Sequence, residues 1–110
     1  MAIPKARQLP TFLYDPYSST PYTTIDAPGS VQGTFANGIN AAGQIVGSYN
    51  DASGIPHGFL RTTGPIFTAY TPINDPFAIF TVAEGINASG QVVGYYGGHE
   101  RLPRLSLQRR

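Results

Sequence analysis

The chain has 110 residues and a net charge of +1, with 13 glycines, 10 prolines and no cysteine. The missing cysteine excludes disulfides, cysteine-based zinc sites and a cysteine nucleophile. No apolar run approaches the roughly 18 residues of a membrane-spanning helix. The many glycines and prolines form turns, which favours short strands over a helical bundle. We therefore predict an all-β fold without a membrane partner.

The chain divides into three parts. Residues 1–10 form an N-terminal extension with basic side chains but no apolar segment, so we expect no signal peptide there. Residues 11–96 form one domain made of two repeats. Residues 97–110 form a basic tail that falls out of the repeat register and that we expect to be disordered.

The repeat has a period of 47 residues. Residues 38–49 (GINAAGQIVGSY) recur as residues 85–96 (GINASGQVVGYY), and the Phe-Leu pair at residues 12–13 recurs at residues 59–60 with the same shift of 47. Residues 22–28 (YTTIDAP) are echoed by YTPINDP at a shift of 48. A period of roughly 40–50 residues with strand-like content is typical of β-propeller blades.

Four strands, called A to D, are predicted within one repeat. Strand A ends near Ile39, and a turn at residues 41–43 leads to strand B over residues 44–49. Strand C lies near residues 58–61, and strand D runs over residues 67–73, before an Asp-Pro pair. The chain as a whole then reads C-D, A-B-C-D, A-B.

Two propeller-type blades are too few to close a ring, because propellers have roughly four to eight. The unpaired C-D edge and the unpaired A-B edge are complementary, so the A-B edge of one chain can pair with the C-D edge of another copy. We expect closure by homo-oligomerisation, as a six-bladed trimer first and an eight-bladed tetramer next.

The repeat words resemble those of the HAF family of extracellular repeats. The words are G-I-N-x-x-G-Q-[IV]-V-G-x-Y at residues 38–49 and x-D-x-x-G-x-x-H-G-F-L at residues 50–60, and the resemblance covers about residues 11–96. It implies a bacterial, exported, propeller-like array and supplies no catalytic residues. The second repeat departs from the pattern after Tyr96, which suggests a fragment of a longer array.

The tail is the basic part of the chain. Residues 97–110 carry a net charge of +3, whereas residues 1–96 carry −2. A basic tail can contact nucleic acid, but the body has no matching basic face, so we predict a solvated end and no nucleic-acid partner.

Polar and aromatic repeat positions are the candidate ligand-binding residues. Asn40 and Asn87 precede tight turns, where Asn ordinarily caps the backbone, but a ring of such residues could bind a ligand instead. Tyr49 and Tyr96 (with Tyr95) lie on B strands, where they either pack or stack on sugar rings.

His57, Asp51 and Glu84 are the candidate catalytic residues. His57 follows Asp51 by six residues within one repeat word, where packing or turn formation is the alternative role, and histidine can act as a base near neutral pH. Glu84 takes the place of Asn37 and could bind Ca²⁺ or another divalent metal near a central channel, or be a solvated carboxylate. No cofactor is otherwise indicated.

Three functions remain open from the sequence. The first is an oligomeric binding module for a carbohydrate or another extracellular small molecule. The second is a small ester or phosphoester hydrolase whose site is assembled at the ring axis or between chains. The third is a structural propeller fragment without a ligand. None of the common catalytic or phosphate-binding motifs is present to decide between them.

Overall fold

The computed structural model describes residues 11–98, which form eight β-strands and, within that range, no helix. The strands are β1 (Thr11–Tyr14), β2 (Tyr22–Ile25), β3 (Thr34–Ile39), β4 (Ile45–Asn50), β5 (Pro56–Thr63), β6 (Thr68–Ile73), β7 (Phe80–Ile86) and β8 (Val92–Gly97). The predicted all-β class is confirmed. The predicted extension at residues 1–10 and nearly all of the predicted tail lie outside the described residues.

The strands form three antiparallel sheets. Strands β1 and β2 pair with each other, β3 to β6 form a four-stranded sheet in chain order, and β7 pairs with β8. We call them the first, middle and third sheets. Their boundaries fall where the sequence divides the chain into C-D, A-B-C-D and A-B.

The two repeats share structural irregularities as well as sequence. The register of β3 against β4 shifts between Ala36 and Gly38, and that of β7 against β8 shifts between Ala83 and Gly85. Both shifts are β-bulges, and each lies 47 residues from the other. The third sheet therefore repeats the A-B half of the middle sheet.

The structure also locates the one-residue slip between the repeats. Ala78 N donates to Asp75 O, which matches a bond 48 residues earlier, from Ser30 N to Ala27 O. Ile79 N donates to Gly97 O, whereas Val31 N and Gln32 N both donate to the equivalent Asn50 O. The second repeat thus has one residue, Ile79, where the first repeat has Val31 and Gln32.

The core includes a cluster between the first and middle sheets, and the buried Val46, Val82 and Ala83 lie outside that cluster. Its buried cluster comprises Ile25, Ala27, Ile45 and Phe59, with Leu13, Ala36, Tyr49 and Tyr70 packed around it. Successive side chains of a strand point to opposite faces. Since Ile45 faces this cluster, the fully buried Val46 faces the other side of the sheet, where β7 lies.

The middle and third sheets meet at their first strands. Asn37 Nδ2 donates to Ala83 O at 2.9 Å, and Asn40 Nδ2 donates to Asn87 O at 3.0 Å. A Cβ added to Gly38 would lie 3.1 Å from Glu84 O, so the two backbones approach closely. The contacts join positions that are equivalent or nearly equivalent in the two repeats.

Candidate functional site

Asn40 holds the turn between β3 and β4, and Asn87 holds the equivalent turn between β7 and β8. Asn40 Oδ1 accepts hydrogen bonds from Ala42 N at 3.1 Å and Gln44 N at 3.0 Å, and Asn40 Nδ2 donates to Gln44 Oε1. Asn87 makes the same three bonds with the residues two and four positions later. The capping role that the sequence favours for both residues is therefore present, and their ligand-binding role stays a prediction.

The two asparagines differ in one contact. Besides the bond to Gln44 Oε1 that matches the bond of Asn87 to Gln91, Asn40 Nδ2 also donates to Asn87 O at the neighbouring sheet. Asn40 thus joins two sheets.

Asp51 and His57 form a side-chain pair at the turn between β4 and β5. Asp51 Oδ2 lies 2.7 Å from His57 Nε2, and Asp51 Oδ1 accepts from the backbone N–H groups of Ser53 and Ile55. The His57 ring stacks on Tyr49, with centroids 5.2 Å apart. Both members are about one-third exposed, so the pair is accessible from solvent.

These contacts shift the titration of Asp51. The hydrogen bond with His57, followed by that from Ile55 N, lowers the pKa of Asp51 below its ordinary value of 3.8. Asp51 is consequently ionised near neutral pH and fixes the orientation of the imidazole. An oriented imidazole beside a carboxylate is a general-base arrangement, and the same bonds also clamp the turn.

Glu84 lies away from this pair within one chain. His57 pairs with Tyr49 at one end of the middle sheet, while the Glu84 backbone lies beside Gly38. Tyr49 pairs with Thr34 of β3, which lies four residues before Gly38. His57 and the Glu84 backbone are therefore separated by roughly 13 Å along the strand. The three candidate catalytic residues therefore do not converge in a single copy.

Neither a metal-binding group of side chains nor a membrane-spanning helix occurs in the described part of the chain. No group of three or more His, Asp or Glu side chains is close enough there to hold a metal ion, so the divalent ion stays a prediction. None of the residues between 11 and 98 belongs to a helix that could cross a membrane.

A groove of about 170 Å³ lies between the β2–β3 connection and the outer strands of the middle sheet. We call it the aromatic groove. It is lined by Ala27, Pro28, Tyr49, Phe59, Tyr70, Thr71 and Pro72. The Phe59 and Tyr70 rings contact each other with centroids 5.7 Å apart. Tyr49 is a predicted ligand-binding residue.

Tyr70 and Pro72 line the groove but are not among the residues predicted from the sequence. The available signal was the echo of Tyr22 at Tyr70, which marks the position as part of the repeat. The echo could not reveal that Tyr70 shares a groove with Tyr49, because the two lie on strands that are not hydrogen-bonded neighbours.

A second cavity, of about 280 Å³, lies on the third sheet and is called the β8 cavity. Its lining is Ile73, Asn74, Asp75, Thr81, Val82, Ala83, Val92, Val93, Gly94, Tyr95 and Tyr96. Tyr96, the other predicted ligand-binding tyrosine, is 48% exposed. Both predicted tyrosines thus line cavities, and each cavity belongs to a different repeat.

Searches for similar proteins found no match to a family model, a curated protein or a solved structure. The resemblance to HAF repeats rests on the repeat words alone.

Proposed function

We propose that the chain is the subunit of an oligomeric β-propeller that serves as a binding module for a carbohydrate or another small polar molecule. The observation that carries the proposal is the aromatic groove, which combines two tyrosines, a phenylalanine and two prolines. Aromatic side chains offer an apolar face to a sugar ring, and the tyrosine hydroxyl offers a polar tip.

The size of the aromatic groove indicates the size of the ligand. Clefts that enclose drug-sized ligands measure roughly 300–1,000 Å³, and this groove measures about 170 Å³. It suits a ligand about as large as one sugar ring. In this proposal Tyr49 and Tyr70 contact the ligand, while Asn40 and Asn87 hold the turns.

The stacking of the sheets supports the propeller part of the proposal. The first strand of the third sheet, β7, contacts β3, β4 and β5 of the middle sheet. Asn37 and Asn40 hydrogen-bond across that junction at the innermost strands. Repeating the same step around an axis closes a ring, for which three copies give six blades and four copies give eight.

Glycan-array screening followed by calorimetry tests the binding function. We expect at least one glycan to bind, and Tyr70→Ala to weaken binding at the aromatic groove tenfold or more. Tyr17→Ala is the matched control, because Tyr17 is 96% exposed and lies outside the groove lining. Failure of every glycan to bind, or equal loss in both variants, would contradict a carbohydrate site in this groove.

A hydrolase is the second candidate, and the pairing of Asp51 with His57 at 2.7 Å favours it. The substrate would be an ester or phosphoester, with Glu84 supplied from another copy. Each of His57→Ala, Asp51→Ala and Glu84→Ala should then abolish hydrolysis. Hydrolysis that survives all three substitutions, or none in the wild type, removes this candidate.

The resemblance to HAF repeats supports an exported, extracellular setting. Fractionation of cells that express the natural gene with its upstream sequence tests this setting. Recovery outside the cytoplasm is expected, and retention in the cytoplasm would contradict it.

A further inference from the structure

Phe12 and Phe59 occupy equivalent positions in the two repeats, but their surroundings are very different. Phe12 pairs with Thr24 across the first sheet, as Phe59 pairs with Pro72 across the middle sheet. Phe12 contacts the Tyr22 ring at 5.7 Å, the same centroid distance as between the equivalent Phe59 and Tyr70 rings. Yet Phe59 is 1% exposed and Phe12 is 62% exposed.

The burial of Phe59 comes from the strand beside it. Strand β5 pairs with β4, which places Phe59 opposite Gly47 and against Ile25 and Ile45. Strand β1 is equivalent to β5, but its only hydrogen-bonded neighbour among the described strands is β2. Phe12 therefore lacks the A-B half of a sheet that Phe59 has.

The β8 cavity has the lining that Phe12 lacks. Four of its residues, Ile73, Ala83, Val92 and Tyr96, are the repeat equivalents of Ile25, Ala36, Ile45 and Tyr49, which surround Phe59. The cavity is thus the place that a phenylalanine fills in the middle sheet. A phenylalanine on a strand paired with β8 would fill it.

We propose that β1 of a second copy pairs with β8, inserts Phe12 into the β8 cavity, and completes a second ligand groove there. The middle sheet supplies the register. Since Val46 pairs with Leu60 and Gly47 pairs with Phe59, Val93 pairs with Leu13 of the second copy and Gly94 with its Phe12. The result is a four-stranded sheet shared by two copies.

The shared sheet creates a groove equivalent to the aromatic groove. Tyr96, Asp75 and Pro76 of one copy take the places of Tyr49, Ala27 and Pro28. Phe12 and Tyr22 of the second copy take the places of Phe59 and Tyr70. This site is incomplete in one chain, which accounts for the 67% exposure of Tyr22 and the 48% exposure of Tyr96.

One difference sets the chemistry of the shared groove. Asp75 replaces Ala27, so a carboxylate enters a lining that otherwise combines aromatic and apolar residues with the uncharged polar Asn74 and Thr81. A carboxylate accepts hydrogen bonds from neighbouring hydroxyl groups. The shared groove therefore takes the same class of ligand as the aromatic groove, a polyhydroxylated sugar, and an assembled ring binds two ligands per chain. The inference that the shared groove binds a sugar rests on the proposed binding function.

Cysteine cross-linking tests the pairing, because the natural chain contains no cysteine. Directly paired residues have Cα atoms about 4.5–5.5 Å apart, within the range of a disulfide. Under mild oxidation, a variant with Leu13→Cys and Val93→Cys should form covalent oligomers that end at one closed size. A control with Leu13→Cys and Tyr95→Cys, two residues out of register, should not. Absence of covalent oligomers in the first variant, or equal cross-linking in both, overturns the proposed pairing.

Binding stoichiometry separates the pairing from the binding function. For a glycan that binds the wild type, we expect two sites per chain, and one site per chain in Tyr22→Ala and in Tyr70→Ala. In-register cross-links without any glycan binding would uphold the pairing and refute the binding function. One site per chain that Tyr22→Ala leaves intact would uphold the binding function and overturn the shared groove.

Discussion

At the scale of single residues, the Asp51 carboxylate gives the fold a dependence on pH. Its pKa is lowered in the folded chain by His57 and by backbone N–H groups. A lowered folded-state pKa stabilises the fold above the unfolded value, and that stability is lost as pH falls through the folded value. The loss from this group therefore lies at acidic pH, below about 3.8.

Thermal unfolding between about pH 6 and pH 2 measures this contribution. We expect the wild-type Tm to fall more steeply below pH 3.8 than the Tm of Asp51→Asn. The asparagine Oδ1 can still accept from Ser53 N and Ile55 N, so the turn is preserved. Parallel curves for the two proteins would mean that Asp51 contributes no pH-dependent stability.

Glu84 is the residue that departs most from the repeat at a sheet junction. Its counterpart, Asn37, donates a hydrogen bond to a backbone carbonyl of the next sheet. If the ring closes as proposed, Glu84 faces the carbonyl of Ala36 in another copy, and an ionised carboxylate has no proton to donate. This junction is therefore weaker than the one within the chain.

Glu84→Asn should restore the missing donor and tighten the assembly. A net hydrogen bond contributes roughly 0.5–1.5 kcal/mol, which is about a two- to twelvefold change in the dissociation constant per junction. Dilution series followed by light scattering measure the change. Glu84→Ala is the control, since it removes the carboxylate without adding a donor. Equal dissociation constants for the asparagine and alanine variants would refute the donor role.

At the scale of elements, the repeat words predicted most of the strands. The A–B turn could be predicted because Asn and Gly carry its geometry locally, and Gly43 has the expected φ of 83°. The bulges could not be predicted, because they depend on how β3 and β7 pair with their neighbours. The contact of Asn37 with Ala83 O was also out of reach, since it depends on how two sheets stack.

The bulge explains a glycine of the repeat word. A Cβ on Gly47 would overlap the carbonyl oxygen of Phe35, at the pairing just before the bulge of β3. Gly85 offers a matched control, because within one chain a Cβ there would meet only the Val93 side chain, at 3.4 Å. In the proposed ring Gly85 takes the place of Gly38, where an added Cβ would lie 3.1 Å from a carbonyl oxygen, a close approach but not an overlap.

Gly47→Ala should destabilise the middle sheet by about 1–3 kcal/mol, the usual cost of forcing extra atoms into a packed site. Gly85→Ala should change stability much less. Chemical denaturation at one protein concentration compares them. Equal loss in the two variants would show that the approach of β4 to the Phe35 carbonyl is not what requires glycine.

At the scale of the whole molecule, the repeat gave the division into three sheets, and the grooves required the structure. Tyr49 and Tyr96 could be selected as repeat positions on B strands. Their cavities could not, because each combines a B strand with a connection between sheets. The exposure of Phe12 could not be predicted either, since Phe12 belongs to the same repeated Phe-Leu pair as the buried Phe59.

The mass in solution tests the central claim, that copies of this chain complete one another. Light scattering on a sizing column, across a tenfold dilution at micromolar concentration, measures it directly. We expect a stable species of three times the 11.8 kDa chain mass, or of four times that mass if the alternative eight-bladed ring forms. A compact, well-folded monomer across the whole range would contradict ring closure, the pairing of β8 with β1 and the shared groove.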